Sequence, residues 1–112
     1  MAYSEELADR IRAALADLLS VREQKMFGGL AFMVNGKLCV GAHRSGGMIL
    51  RCAPEKVDDL LNRGGAEWAD MNGKPMGKGW LLISSEGMDS QEDFDFWIGV
   101  ARDFNQKNKD IN

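Results

Sequence analysis

Two apolar runs separated by an Asn-Gly pair dominate the hydrophobic pattern of the chain. The runs cover residues 26–34 and 37–43, and Asn35 and Gly36 stand between them. A two-residue type I′ turn needs positive φ at both central positions, and Asn-Gly is the pair that tolerates this best. The pattern therefore predicts a β-hairpin that turns at these two residues.

The register of this hairpin predicts which side chains share a face, since side chains alternate along each strand. A two-residue loop sets Val34 opposite Lys37, Phe32 opposite Cys39 and Ala31 opposite Val40. One face then carries Leu30, Phe32, Val34, Lys37 and Cys39, and the other carries Ala31, Met33, Leu38, Val40 and Ala42. Because both faces are apolar, we expect both to be covered, by helices or by a second subunit.

Three further segments have the spacing of amphipathic helices. The first covers residues 4–20, with Ser4 as its cap and an apolar stripe made of Leu7, Ile11, Leu15, Leu18 and Leu19. The second follows Pro54 and ends at the glycines 64–65. The third begins at Asp89 or Ser90 and carries an aromatic stripe. A polar link is expected at residues 22–25, and a polar tail that frays at residues 106–112.

The remaining apolar runs predict three more strands. Residues 48–52 form a third strand after a turn at 44–47, residues 67–71 form a weak strand, and residues 80–83 form a short buried one. The order is helix, three-stranded antiparallel meander, helix, two strands and C-terminal helix. This order predicts one α+β domain over residues 1–112.

Composition narrows the functional classes. The chain has 112 residues and a formal net charge of −3, so it lacks the general basic surface that non-specific duplex binding needs. We therefore do not expect direct DNA binding. We expect a cytoplasmic protein, because the N-terminus is acidic and no apolar run has the length of a signal peptide or a membrane span.

Residues with catalytic or ligand-binding patterns are sparse. His43 is the single histidine, and no motif places a nucleophile or an acid beside it. Two cysteines and one histidine are too few for a closed zinc site, and the glycine-rich segments match neither phosphate-binding pattern. We therefore predict no catalytic, metal-binding or cofactor-binding residues and no cofactor. A small enzyme that uses His43 or Cys39 is the less favoured reading.

The cysteines allow one further hypothesis. If the turn at 44–47 pairs His43 with Met48, counting back sets Cys39 opposite Cys52. The two thiols would then form a redox-labile cross-strand pair. Two buried thiols that never oxidise are the favoured alternative in a reducing compartment.

Seven methionines are many for this length. Methionine fills irregular gaps in a core, and it is also common at adaptable binding surfaces. Four of them lie near glycine-rich turns, namely Met26, Met33, Met71 and Met76. Core filling is the favoured role, and a surface that repacks around a partner is the alternative.

Two motifs, in this order and spacing, make the chain resemble the N-terminal domain of the TfoX/Sxy family over nearly its whole length. The residues that carry the resemblance are Met26, Phe27, Gly28, Gly29, Asn35, Gly36, Gly73, Pro75, Met76, Gly79 and Trp80. The family pattern Pro-Met-Lys-Gly-Trp is interrupted here by Gly77. Gly28 and Gly29 would serve the backbone, either as a bulge or where another element approaches closely.

The resemblance implies an α+β fold similar to that of type III secretion chaperones. It also implies a regulatory role, since full-length members regulate competence genes together with a cyclic-AMP-responsive transcription activator and carry a second, helical domain. We expect a stand-alone N-terminal domain and a non-enzymatic adaptor that acts through protein contacts, with a homodimer as one form of such contact. The alternative is a small-ligand or nucleic-acid binding module on the loop 73–80, where a basic patch would comprise Arg51, Lys74 and Lys78.

Overall fold

The computed structural model describes residues 3–26, 28–71 and 74–108. Three helices and eight strands follow one another along these residues, and two single turns of 3₁₀-helix lie at Pro54–Lys56 and Glu86–Met88. In chain order the elements are α1 (Glu5–Ala14), β1 (Val21–Met26), β2 (Gly29–Val34), β3 (Lys37–Ala42), β4 (Met48–Arg51), α2 (Val57–Arg63), β5 (Ala66–Trp68), β6 (Asp70–Met71), β7 (Lys74–Pro75), β8 (Trp80–Ile83) and α3 (Gln91–Asn108). The predicted α+β class is confirmed.

Six of the strands form one antiparallel sheet in the order β1-β2-β3-β4-β8-β5, and β6 and β7 pair separately. The hydrophobic core lies between one face of this sheet and the helices. The strands contribute alternate residues such as Phe32, Val40 and Leu50, and α3 contributes Trp97, which is fully buried. Among the described residues, no helix is both long and apolar enough to span a membrane.

The Asn35-Gly36 turn is confirmed, with φ of 55° and 80° at its two central residues. Val34 faces Lys37 as predicted, but beyond Met33 the register shifts by one residue, so that Phe32 faces Val40. The predicted pairs of Phe32 with Cys39 and of Ala31 with Val40 are therefore wrong. The physical reason is a β-bulge that inserts Cys39 as an extra residue. Both Cys39 and Val40 are buried in the core as a result.

The polar link predicted at residues 22–25 is instead the edge strand β1. All six of its residues pair with β2. Hydrophobic periodicity missed it because its inner residues are polar and exposed, which is how an edge strand is kept from pairing with other chains. Glu23 ties it to α1 by accepting two hydrogen bonds from Arg12, of 2.6 and 2.8 Å.

Two helix ends differ from the predictions. Ser4 caps α1 as expected, but α1 ends at Ala14, so the predicted helix end at residue 20 is wrong. Leu15 and Leu18 of the predicted stripe still pack into or against the core, whereas Leu19 is fully exposed. The guanidinium of Arg102 in α3 donates a 3.1 Å hydrogen bond to the carbonyl of Ala14, a tertiary contact that satisfies this helix end. Helix α3, capped by Ser90, continues to residue 108, past the predicted start of the frayed tail at 106. Residues 109–112 lie outside the described residues.

The helices do not cover both faces of the sheet. The core residues of all three helices pack on the face that carries Phe32. On the other face, residues 69–71 and 74–79 lie outside the six-stranded sheet, held by hydrogen bonds from the Ala69 amide to the Trp80 carbonyl (3.2 Å) and from the Met76 amide to the Ala69 carbonyl (3.0 Å). Helices therefore cover only one side of the sheet, and cover of the other side by a second subunit stays a prediction. We call this second side the open face.

Candidate functional site

The open face of the sheet is apolar along its centre. One row of paired positions crosses all six strands, from Gln24 in β1 to Glu67 in β5. Between these two polar ends the row contains Ala31, Gly41, Ile49 and Leu82. The first two of these are buried and the last two are half-buried. Apolar side chains are thus partly accessible on a face that the helices do not cover.

A pocket lies on the open face, and two methionines from distant parts of the chain line it. Met26 ends β1, and Met76 follows β7 on the returning segment. Strand residues of the lining include Ala31, Gly41 and Ile49, and its polar residues are His43, Arg44 and Asp70. We call it the methionine pocket. Its volume of about 60 Å³ is well below the cavity of about 150 Å³ that takes up benzene, so it fits the end of one side chain better than a cofactor.

Close backbone packing shapes this end of the sheet. A Cβ on Gly29 would lie 2.5 Å from the carbonyl oxygen of Ala42, and one on Gly41 would lie 3.0 Å from the carbonyl oxygen of Leu30. Gly28 has a φ of 78°, in the left-handed region that favours glycine. Gly29 is therefore a point of close backbone approach, one of the two roles expected for this pair, whereas Gly28 is required for its left-handed conformation.

The second motif is held in place by its own glycine. Gly79 has a φ of 100°, and its carbonyl accepts a 2.8 Å hydrogen bond from the amide of Cys52. A Cβ at this position would lie 3.0 Å from the carbonyl oxygen of Cys52. This contact joins the segment that carries Met76 to the end of β4. Two motifs separated by more than forty residues in the chain, one with Met26 and one with Met76, therefore meet at the methionine pocket.

The turn after β3 positions the polar side of the pocket. The amide of His43 donates to the carbonyl of Gly47 (2.8 Å), and the amide of Gly46 donates to the carbonyl of His43 (2.9 Å). The Nδ1 atom of His43 accepts from the amide of Ser45 at 3.1 Å. Burial and the neighbouring charge of Arg44 lower the pKa of His43, and Asp70 acts against them. The imidazole is therefore neutral at pH 7, and Arg44 is exposed beside it.

The three residues of the predicted basic patch differ in exposure. The guanidinium of Arg51 lies 4.9 Å from the ring centre of Trp80 and 5.4 Å from that of Phe104, so this cation is half-buried against two rings. Lys74 and Lys78 are exposed on the segment that crosses the open face. Arg51 therefore occupies one face of the half-buried Trp80 ring, and that face is not available for stacking by a ligand.

The predicted opposition of the two cysteines is wrong. Val40 pairs with Leu50, and this register does not set Cys39 opposite Cys52. The register differs because the turn pairs Ala42, not His43, with Met48. Both cysteines are free and buried, and burial raises the pKa of Cys39 to about 11 and raises that of Cys52. Neither thiol has the lowered pKa of a reactive cysteine.

Sequence reasoning found the two motifs but not the residues between them. Phe27 and Gly73 lie outside the described residues, Pro75 belongs to β7, and Asn35 and Gly36 form the hairpin turn. The lining residues Arg44, Asp70 and Ile49 were not predicted, and the clustering of methionines near glycine turns was the one signal that pointed to them. Within residues 3–26, 28–71 and 74–108, His, Cys, Asp and Glu form no group of three or more that could hold a metal ion.

Comparisons with known proteins give one match. A family model described as the TfoX N-terminal domain matches residues 13–104, a range that contains both motifs and every strand of the sheet. Neither a curated protein nor a solved structure matches the chain.

Proposed function

Since this chain belongs to the TfoX N-terminal domain family, we propose that it is a regulatory domain that works through protein contacts on its open face and catalyses no reaction. The family gives the regulatory role its support. The proposed binding site is the methionine pocket together with the apolar row around it.

The observation that carries this proposal is the convergence of the two family motifs on one pocket. Met26 belongs to the first motif and Met76 to the second, and both side chains line it. Neither methionine is part of the core cluster between the sheet and the helices. Two motif residues that lie outside the core and meet at a partly open apolar pocket are better explained by binding than by folding.

The chemistry of the pocket favours a protein partner. Methionine side chains are flexible and polarisable, so they adapt to an inserted side chain. The rest of the row presents half-buried aliphatic groups such as Ile49 and Leu82, which a partner would remove from water. A small-ligand or nucleic-acid site on the loop 73–80 has less support, because Arg51 lies over the ring of Trp80.

The test is complementation in the native cell. Strains that lack the protein receive the wild-type gene, Met76→Glu or Leu19→Glu, and their transcript profiles are compared. Met76→Glu places a charge in the pocket, whereas Leu19→Glu places the same charge at a fully exposed leucine away from it. We expect the wild type and Leu19→Glu to restore the profile of the parent strain and Met76→Glu to fail.

The comparison is valid only if the wild type and both variants are folded to the same extent. Circular dichroism and thermal unfolding of the purified variants provide the check, and Met26→Glu is a second pocket variant if Met76→Glu unfolds. If a folded pocket variant restores transcript levels fully, or if loss of the protein leaves every transcript unchanged, the proposed function is wrong.

A further inference from the structure

Resting on the proposed function, we propose that the open face binds an acidic segment of a partner protein, which places one apolar side chain in the methionine pocket and carboxylates beside it. Charge complementarity carries this inference. Although the net charge of the chain is acidic, its basic and acidic side chains are distributed unevenly between the sheet and the helices.

The sheet region is basic although the whole chain is acidic. Residues 21–51 and 66–83 contain seven basic side chains, namely Arg22, Lys25, Lys37, Arg44, Arg51, Lys74 and Lys78, against three acidic ones, Glu23, Glu67 and Asp70. The helical segments 5–20, 54–63 and 84–108 contain thirteen acidic and six basic side chains. The charge of −3 is therefore the sum of a basic sheet layer and an acidic helical layer.

Several of these cations border the open face. Arg22 is exposed and pairs in register with Met33, on the side of β1 that faces away from the helices. Arg44 is exposed at the methionine pocket, and the hydrogen-bonded turn around it holds its backbone in place. Lys74 and Lys78 are exposed on the segment that carries Met76. Carboxylates of a bound segment would meet these cations, which steers association and sets orientation.

The methionine pocket has room for only one apolar side chain of the partner. A volume of about 60 Å³ takes the end of a single Leu, Ile, Met or Phe side chain. A partly exposed apolar row extends on either side, with Met33 and Leu82 half-buried. One buried anchor in a pocket with charged contacts around it is the common arrangement of a binding hot spot.

Two other occupants fit the open face less well. Nucleic acid has no apolar side chain to place in the methionine pocket, and because it carries a phosphate at every nucleotide it could not keep its charges away from Glu67 and Asp70, which are both exposed on the same side as the apolar row and the pocket. A second copy would have to present its acidic helical layer to this basic face. Such a head-to-tail contact joins different surfaces and extends into a filament unless the rotation closes.

Selection of short random peptides displayed on phage, against the immobilised full chain, tests the inference. Peptides retained by the wild type but not by Met76→Glu are sequenced and synthesised, and their dissociation constants are measured. We expect them to combine one Leu, Ile, Met or Phe with flanking Asp or Glu, and to bind more weakly as the salt concentration rises.

Charge reversal on one strand supplies the matched control. Arg22 and Lys25 are both exposed on β1, but Lys25 pairs with Leu30 and so lies on the helical side. We expect Arg22→Glu and Arg44→Glu each to weaken peptide binding by about tenfold and Lys25→Glu to change it by less than about twofold.

Four outcomes would overturn the inference. If the selected peptides depend on Met76 but lack acidic residues and ignore Arg22→Glu and Arg44→Glu, the acidic partner is wrong and the proposed function stands. If no Met76-dependent peptide is selected, the inference fails, and the transcript experiment decides the proposed function separately. If the purified chain self-associates in sedimentation and Arg44→Glu abolishes this, the occupant is a second copy. If a single-stranded oligonucleotide binds in a Met76-dependent way, the occupant is nucleic acid.

Discussion

Asn105 in α3 donates a hydrogen bond from its side-chain amide to the backbone carbonyl of Val34 at the end of β2, over 2.9 Å. Its side-chain oxygen accepts a 3.1 Å hydrogen bond from the side-chain amide of Asn35, which lies in the hairpin turn. Asn105 is only 5% exposed, so the two bonds satisfy a polar group inside the core. This pair fastens the C-terminal part of α3 to the hairpin.

The first prediction concerns this contact. Asn105→Ala leaves the carbonyl of Val34 without its partner and should lower the free energy of unfolding by about 1–3 kcal/mol. Asn35→Gly removes the other bond but keeps a residue that accepts positive φ, so it should cost less than about 1 kcal/mol. Urea denaturation of both variants measures the difference. A larger loss for Asn35→Gly than for Asn105→Ala would contradict this account.

The second prediction compares two glycines. Gly29→Ala would place a Cβ 2.5 Å from the carbonyl oxygen of Ala42, and we expect it to lower the free energy of unfolding by about 1–3 kcal/mol. Gly99 lies exposed within α3, and a Cβ there meets no atom within 4 Å. Gly99→Ala should therefore stabilise the protein by about 0.5–1 kcal/mol. The two variants should shift the midpoint temperature of thermal unfolding in opposite directions. An unchanged midpoint for Gly29→Ala would refute the close approach of Gly29 to Ala42.

The third prediction concerns the pH dependence of His43. Burial and Arg44 hold its pKa below the ordinary value of 6.5. As the pH is lowered, the imidazole of the unfolded chain is therefore protonated before that of the folded protein. The free energy of unfolding should consequently fall as the pH drops from 6.5 through the pKa of the folded state. Because the chain has a single histidine, one imidazole signal in a proton NMR titration reports this pKa directly.

Two variants test the causes of that pKa. Arg44→Gln removes the positive neighbour and should raise the pKa of His43, whereas Asp70→Asn removes the negative one and should lower it further. If Arg44→Gln lowers the pKa of His43, or if Asp70→Asn raises it, these charges do not face the imidazole as the structure places them.

Local signals in the sequence were enough for most of the elements. The Asn35-Gly36 turn, the Ser4 and Ser90 caps and the aromatic stripe of α3 each depend on residues within one or two turns of one another. Strand β1 could not be predicted in this way, because its polar residues owe their conformation to pairing with β2. The same holds for the end of α1, where Arg102 from the other end of the chain binds the last carbonyl.

The candidate site was predictable only in its parts. The motifs that contain Met26 and Met76 are visible in the chain, and the methionines near glycine turns suggested an adaptable surface. Their meeting at one pocket depends on long-range strand order, since β8 lies between β4 and β5 in the sheet and the segment before it returns across the open face. The stacking of Arg51 on Trp80, which the prediction of a basic patch did not include, is likewise a contact between strands.

By itself, the sequence determined the α+β class, the two-residue hairpin turn, the helix caps and the membership of a family, because each of these follows from local conformational preference or from a recognisable pattern of residues. Tertiary structure decided the bulge at Cys39, the edge strand, the pocket between Met26 and Met76 and the separation of basic sheet from acidic helices. These features arise where segments far apart in the chain compete for the same buried space, and the choice among registers depends on how the whole core packs.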